Sequence, residues 1–389
     1  MIWLALIIPL IGISILAWKF KEETNLFEYI LAFIIPIICI FVGKYASVHS
    51  QTKDVEFWNT YAKGAMHQEE WKERWTEIET YTTTDSKGRS QTHTRTVTKR
   101  RTNPERWDIH DNMGNSYRIN KSTFNKLCIR WNNKAFKDMH RDRNTSHTIT
   151  KDGDVYVTEY DKIFEHTFPL CKQHSYENKV QCSTSIFNFM TVKEEDKAKY
   201  KLFDYPKESL FGFNPILGGS DPTAILRLQN YNALNGSRRQ LHMMLVILKD
   251  QPLEAGLFQE SYWKGGNKNE FIVCVGVSGK EIKWTKIISW TEQYELKVRV
   301  AREIKEMKEL DEVKIVDYMG TNIPKGFIRK EFKDFSYISV KPTMRATIIT
   351  YVVTLLSTLI ICIIAVMNSH GFGTFISNRR RRRKRGFRY

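Results

Sequence analysis

The sequence has no signature of a common catalytic centre. It contains no H-E-x-x-H, no G-x-S-x-G and no G-x-x-x-x-G-K-[ST], so zincin, serine-hydrolase and P-loop readings find no local support. It has no C-x-x-C either, and its six cysteines are scattered. Acid is scarce relative to base, with 43 Asp and Glu against 60 Lys and Arg, for a net charge of +17 over 389 residues. Apolar residues make up 42% and aromatics 13%, too much to stay solvated as a disordered chain. Mean hydropathy is −0.42, too low for a polytopic transporter.

The apolar residues are segregated. Residues 2–18, 26–42 and 346–367 are apolar runs, broken in the third only by Thr, Ser and Tyr. A bilayer span needs roughly 17–25 such residues, so the runs predict two N-terminal transmembrane helices and one C-terminal helix. The first run has no basic n-region and no small-x-small site, which favours a retained helix over a cleaved signal peptide. Its Ala5-Leu6-Ile7-Ile8-Pro9-Leu10-Ile11 echoes Ala32-Phe33-Ile34-Ile35-Pro36-Ile37-Ile38, and each Pro should kink its helix slightly. Ion and proton pathways need ionisable residues at depth; these runs hold only Glu28, near an end, which disfavours a pore.

The net charge divides into −1 over residues 1–43, +10 over 44–367 and +8 over 368–389. The last block is Arg379, Arg380, Arg381, Arg382, Arg383, Lys384 and Arg385, then Arg388. A basic cluster next to a span sets orientation and attracts anionic lipid, a stronger reading than nucleic acid. The expected topology places the C-terminus in the cytoplasm and the soluble domain outside the cell (inner) membrane. A cytoplasmic soluble domain within a membrane complex is the alternative.

The middle of the chain reads as α+β. Residues 44–75 are expected to form a helical stalk, 76–205 a first lobe, 206–220 a linker and 221–340 a second lobe. Within the first lobe, residues 75–100 predict a hairpin around Ser86-Lys87-Gly88, with Gly88 left-handed. That loop sets a register of Glu79 with Arg95, Tyr81 with His93, Thr80 with Thr94 and Thr82 with Thr92. Both faces are polar, so the ribbon should protrude as an interaction arm, with Arg89, Arg95, Lys99 and Arg100 favouring an acidic protein or envelope polymer. A helix follows at 122–131, capped by Ser122 or Thr123.

An exported domain permits disulfides, and Cys171 with Cys182 is the candidate pair. His166, Cys171, His174 and Cys182 supply four potential zinc ligands, but at a spacing that matches no established finger. No cofactor or metal is called. In the second lobe, Asp221, Glu254, Glu260, Lys268, Asn269 and Glu270 fall near turns and strand ends, where α/β active sites collect. They are the candidates for a rival reading as a phosphatase-like hydrolase, and Asp221, Glu260 and Glu270 would have to converge on a pocket for it to hold.

The second lobe reads α-β-α-β-β-α over 221–310. Its centre is Gln259-Glu260-Ser261-Tyr262-Trp263-Lys264-Gly265-Gly266-Asn267-Lys268-Asn269-Glu270-Phe271, with Ile288-Ser289-Trp290 later. This layout resembles the TPM domain, a small extracytoplasmic lobe of membrane-tethered proteins, some with phosphatase-like or repair roles. The resemblance covers about a quarter of the chain by element order, and the family's acidic residues have no placed counterparts here. The whole chain resembles an uncharacterised bacterial or phage family of three-span proteins. Together these imply a membrane-tethered extracytoplasmic binding protein.

Overall fold

The computed structural model describes residues 2–19, 26–131, 136–138, 147–151, 153–182, 189–207 and 209–369. It is a mixed α+β protein. The chain divides into two units, one of residues 1–54, 176–187 and 335–389, the other of 55–175 and 188–334.

The first unit is built on α1 (Ile7–Lys19), α2 (Leu26–Thr52) and the last helix, α9 (Met344–Ser369). All three are long and apolar enough to cross a membrane, α1 together with the 3-10 turn Ile2–Leu6 before it. Pro9 falls in the first turn of α1, where a missing N–H costs few helix bonds, and Pro36 lies inside α2. The Thr residues of α9 prove to be a stripe: Thr347, Thr350, Thr354 and Thr358 recur at helical spacing and are all buried. The hydroxyls of Thr347, Thr350 and Thr358 donate back to a carbonyl four residues earlier, at 2.8–2.9 Å, whereas Thr354 Oγ1 is buried with no hydrogen-bond partner among the described residues. Glycines meet the stripe. A Cβ on Gly43 would lie 2.2 Å from Thr350 Oγ1, and one on Gly12 would lie 2.6 Å from Thr358 Cγ2. Close approach at small residues is how helices pack without a hydrophobic drive.

The far end of α2 is closed by a distant segment. The Asn178 and Gln181 N–H groups donate to Thr52 O (2.6 Å) and Gln51 O (2.9 Å), and Cys182 Sγ lies 3.2 Å from Gln51 O. Those are final carbonyls of a helix, which have no partner within it.

Among the described residues, the second unit holds three sheets. The stalk expected over 44–75 is helical only to Thr52 and then becomes a strand, β1 (Lys53–Gln68). The aromatic spacing of Phe57, Trp58 and Tyr61 suggests a helix, but β1 is central and covered on both faces, so it has no clean alternation to read. The ribbon comprises β2 (Trp71–Thr84) and β3 (Ser90–Asn103). Then come β4 (Arg106–Asp111), β5 (Ser116–Ile119), α3 (Lys121–Arg130), β6 (Phe136–Asp138), β7 (His147–Lys151), β8 (Val155–Glu159) and β9 (Pro169–Glu177). One sheet runs β5-β4-β1-β8-β6, with β9 also on β1, while β7 joins the base of the ribbon. Asn120, not Ser122 or Thr123, caps α3, its Oδ1 accepting from Thr123 N at 2.8 Å. Phe124, Leu127 and Trp131 pack with Ala62, Ala65 and Ile109 as the core of this lobe.

A short helix, α4 (Glu194–Lys199), leads to the second lobe. The expected linker over 206–220 contributes β10 (Ile216–Leu217), a parallel edge strand. It is followed by α5 (Pro222–Arg239), β11 (His242–Lys249), α6 (Leu253–Tyr262), β12 (Glu270–Ser278), β13 (Glu281–Ile288), α7 (Tyr294–Glu306) and α8 (Glu312–Gly326). The sheet order is β10-β11-β12-β13, parallel except for β13. Met243, Leu245, Ile247, Phe271, Val273 and Val275 face a core formed with α5, α7 and α8. Met244, Val246, Leu248, Ile272 and Cys274 face Ala255, Trp263 and Trp284. Both faces of β11 and β12 are therefore covered, which explains their unbroken apolar runs.

Candidate functional site: a two-faced β-ribbon

Fourteen residue pairs join β2 and β3, from Trp71–Asn103 to Thr84–Ser90, in the register expected from the turn. Gly88 takes φ +77°, and Asp85 Oδ1 accepts from Lys87 N and Arg89 N at 2.9 and 2.8 Å. At about 3.3 Å per residue the ribbon is about 45 Å long. Among the described residues, β7 pairs with Lys72–Trp75 on the other side of β2. Beyond that, residues 76–84 are exposed except for half-buried Glu79.

The two faces differ in kind. One carries the charges and aromatics. Lys99 Nζ lies 2.6 Å from Glu77 and 3.4 Å from Glu79, Arg95 donates to Glu79 at 3.0 Å, and Arg101 meets Glu73. Arg95 also lies over the Tyr81 ring, which stacks on His93. The Arg95 and Lys99 cations hold the Glu79 carboxyl below its usual range, and Glu77 then Glu79 raise Lys99. The opposite face is nearly uncharged over its outer part: Thr76–Thr98, Ile78–Thr96, Thr80–Thr94, Thr82–Thr92 and Thr84–Ser90 follow one another in rows.

The basic arm residues are thus not equivalent. Arg95 and Lys99 are neutralised within the ribbon, which weakens their appeal to an acidic partner. Arg100 sits opposite Arg74 on the other face, both exposed, and Arg89 stands at the tip. The polybasic residues 379–385 lie outside the described residues.

The second-lobe candidates do not converge. Asp221 caps α5, accepting from Thr223 N at 2.8 Å, beyond the C-terminal end of β10. Glu270 starts β12 at the opposite end of the parallel strands. The eight residues of β11 alone put about 25 Å between those two edges. Glu260 is on α6, paired with Lys286 at 2.8 Å, and Glu254 is exposed at that helix's start. No shared pocket can serve Asp221, Glu260 and Glu270.

Lys268, Asn269 and Glu270 instead belong to a buried polar seam that secures β1. Asn267 Nδ2 donates to Val55 O (3.0 Å), Asn269 Nδ2 to Phe57 O (2.8 Å), and Asn59 Nδ2 lies 2.7 Å from His242 Nδ1. Glu56, 0% exposed, is met by Arg329, by Trp58 Nε1 at 2.7 Å and by His174 at 3.5 Å. Glu270 accepts from Asn267 N (2.7 Å) and from the Tyr205 hydroxyl, bracing a turn in which Gly265 and Gly266 take φ +79° and +71°. Ser289 donates to Glu270 O (2.5 Å) and Trp290 to Gly265 O (3.0 Å), so the two motifs quoted for the TPM resemblance meet in one brace. Burial pushes the Lys268 ammonium down to about 8, against the pull of Glu56, and the His242 imidazole down to about 3. Glu56, Arg329, Asn59 and His242 escape a local reading because their partners lie 183 or 273 residues away.

Cys171 and Cys182 are not bonded to each other. Cys171 is buried with Phe57 and Phe213, whereas Cys182 is exposed. His166 faces Asp161 at 2.5 Å and His174 stacks on Trp58, so each histidine of the nominal zinc set is engaged elsewhere. Among the described residues, no group of three or more His, Cys, Asp or Glu is placed to hold a metal. No family model, curated protein or solved structure matches the chain.

Proposed function

We propose that this protein is a three-span membrane protein whose soluble domain is an extracytoplasmic binding module, with the β2–β3 ribbon as its contact arm. The observation that carries the reading is the ribbon itself: a strand pair about 45 Å long whose outer part exposes side chains on both faces. Its register is held by cross-strand pairs rather than by a core, so it can present an ordered surface to a partner. The seam residues point the same way, since they hold β1 in place rather than converge on a pocket. Membrane anchoring is supported by the three apolar helices and by Trp3, which packs on Phe41 and has Lys44 over its ring at 5.1 Å. An aromatic beside a cation at a helix end suits a membrane–water boundary. The basic residues 379–385 favour a cytoplasmic C-terminus and an exported domain.

The test is a cysteine at the exposed ribbon tip, Lys87→Cys, treated with a membrane-impermeant maleimide in intact cells. Labelling above the parent chain is expected, and labelling only after lysis would place the domain in the cytoplasm. For the arm, a photo-crosslinking residue at Tyr81 or Thr92 should give adducts that one at Glu254 does not. Absence of adducts at every ribbon position would remove the arm.

A further inference from the structure

We propose that the threonine face of the ribbon binds an anionic glycan, with Arg74 and Arg100 holding an oxyanion and the hydroxyls beyond them meeting sugar hydroxyls. The inference rests on the ribbon being the contact arm, and it names the working face and the chemistry of the partner. Pairing and parity sort the charges of the two strands. Their acids, Glu73, Glu77 and Glu79, all take odd positions on β2, and Arg95, Lys99 and Arg101 take odd positions on β3. That face balances itself. The even positions carry no acid. Their charges are Lys72, Arg74 and Arg100, gathered at the base, and every residue on that face is exposed. Solubility alone is served by interspersed signs, as on the odd face.

Arg74 and Arg100 are direct partners in the register. Asp85 N donates to Arg89 O at 2.9 Å, and alternation from there makes the even pairs the non-hydrogen-bonded kind. Facing Cα atoms of such a pair lie about 4.5 Å apart, the closer of the two spacings. Like charges directly opposite each other repel. Among the described residues, neither guanidinium meets a carboxylate, whereas Arg95, Lys99 and Arg101 all do. An oxyanion placed between the two would turn that repulsion into charge-assisted hydrogen bonds, and the planar forks suit a carboxylate or a phosphate.

Outward from the arginines the face offers hydroxyls. Thr76–Thr98, Thr80–Thr94 and Thr82–Thr92 stand in rows, with Ile78, 74% exposed, the one aliphatic side chain among them. A threonine hydroxyl both donates and accepts, as a sugar hydroxyl does, and β-branching restricts its rotamers, so little freedom is lost on contact. From Arg74 to Thr84 the face runs about 33 Å, room for an extended chain rather than a single anion. It carries no aromatic ring, which counts against single-stranded nucleic acid, whose bases stack on such rings. An acidic peptide would use the arginines and leave the hydroxyl rows without a role.

The test measures binding of the full chain in detergent to polygalacturonate and to dextran phosphate, which separate carboxylate from phosphate, with neutral dextran and polyglutamate for comparison. At least one anionic glycan is expected to bind more tightly than both comparison polymers. Arg74→Gln with Arg100→Gln should weaken that binding by about tenfold or more. Thr80→Val with Thr94→Val removes two hydroxyls, keeps the β-branched shape and should weaken it by a few fold. Lys87→Gln with Arg89→Gln removes the same charge at the exposed tip and should leave it near the parent's. Equal loss in the tip and R74Q/R100Q variants, equal binding to polyglutamate, or indifference to T80V/T94V would overturn the proposal. So would binding to neither anionic glycan. Photo-adducts at Tyr81, on the odd face, without glycan binding would sink the glycan and leave the arm reading intact; no adducts at Tyr81 or Thr92 and no glycan binding would sink both.

Discussion

At the scale of single residues, the seam is where the largest effects are expected. Glu56 has no exposed surface, and Arg329 is the main cation against it. Arg329→Ala strands a buried carboxylate and should cost about 3–5 kcal/mol in chemical denaturation of the full chain in detergent. The double variant Glu56→Gln, Arg329→Met should recover much of that, since neither charge remains to be desolvated. Two groups set pH limits. Below about 6.5 the unfolded chain protonates His242 while the folded chain does not, so stability falls as pH drops from about 6.5 toward 3. Between about 8 and 10.5 the unfolded chain keeps a proton on Lys268 that the folded chain has lost, so stability rises across that window. His242→Gln should flatten the acid limb and Lys268→Met the alkaline one, read as midpoint shifts over a pH series. These residues were only partly legible in sequence. Lys268, Asn269 and Glu270 stand out beside a double glycine, but their meaning depends on carbonyls of β1 more than 200 residues earlier.

At the scale of elements, legibility follows locality. The ribbon register can be read from turn chemistry because one glycine and a three-residue loop fix every pair. The order from α5 to α7 is likewise legible, since Asp221-Pro222 marks a start, β11 and β12 are nearly unbroken apolar runs, and β13 alternates apolar with polar. β1 is not, because its identity is decided by neighbours on both sides and by α5 crossing it. That crossing can be probed. A Cβ on Gly236 would lie 2.3 Å from Asn59 O, a backbone atom that cannot swing aside. Ala is better than Gly in a helix by about 1 kcal/mol, yet overpacking costs about 1–3, so Gly236→Ala should destabilise on balance. Deleting residues 76–98, by contrast, removes mostly exposed residues and should leave the remaining domain folded, with a thermal midpoint within a few degrees of the parent.

For the whole molecule, the sequence divides the charge more clearly than it divides the fold. The +8 of residues 368–389 and the +10 of 44–367 are separate quantities, and only the second belongs to the domain. The two expected lobes do have separate cores, yet β1 and the Asn267–Glu270 turn stitch them into one unit, which no linker-seeking rule would find. Lys87→Cys labelling decides the compartment, and partner chemistry follows from it.

The closure of α2 has a consequence in time. A ribosome makes α1 and α2 before the segment that caps Thr52, which follows about 125 residues later, and makes α9 later still. Until then the notches at Gly12 and Gly43 stand empty. A chain stalled before α9 would therefore leave the glycine faces of α1 and α2 without the threonine stripe that fills them.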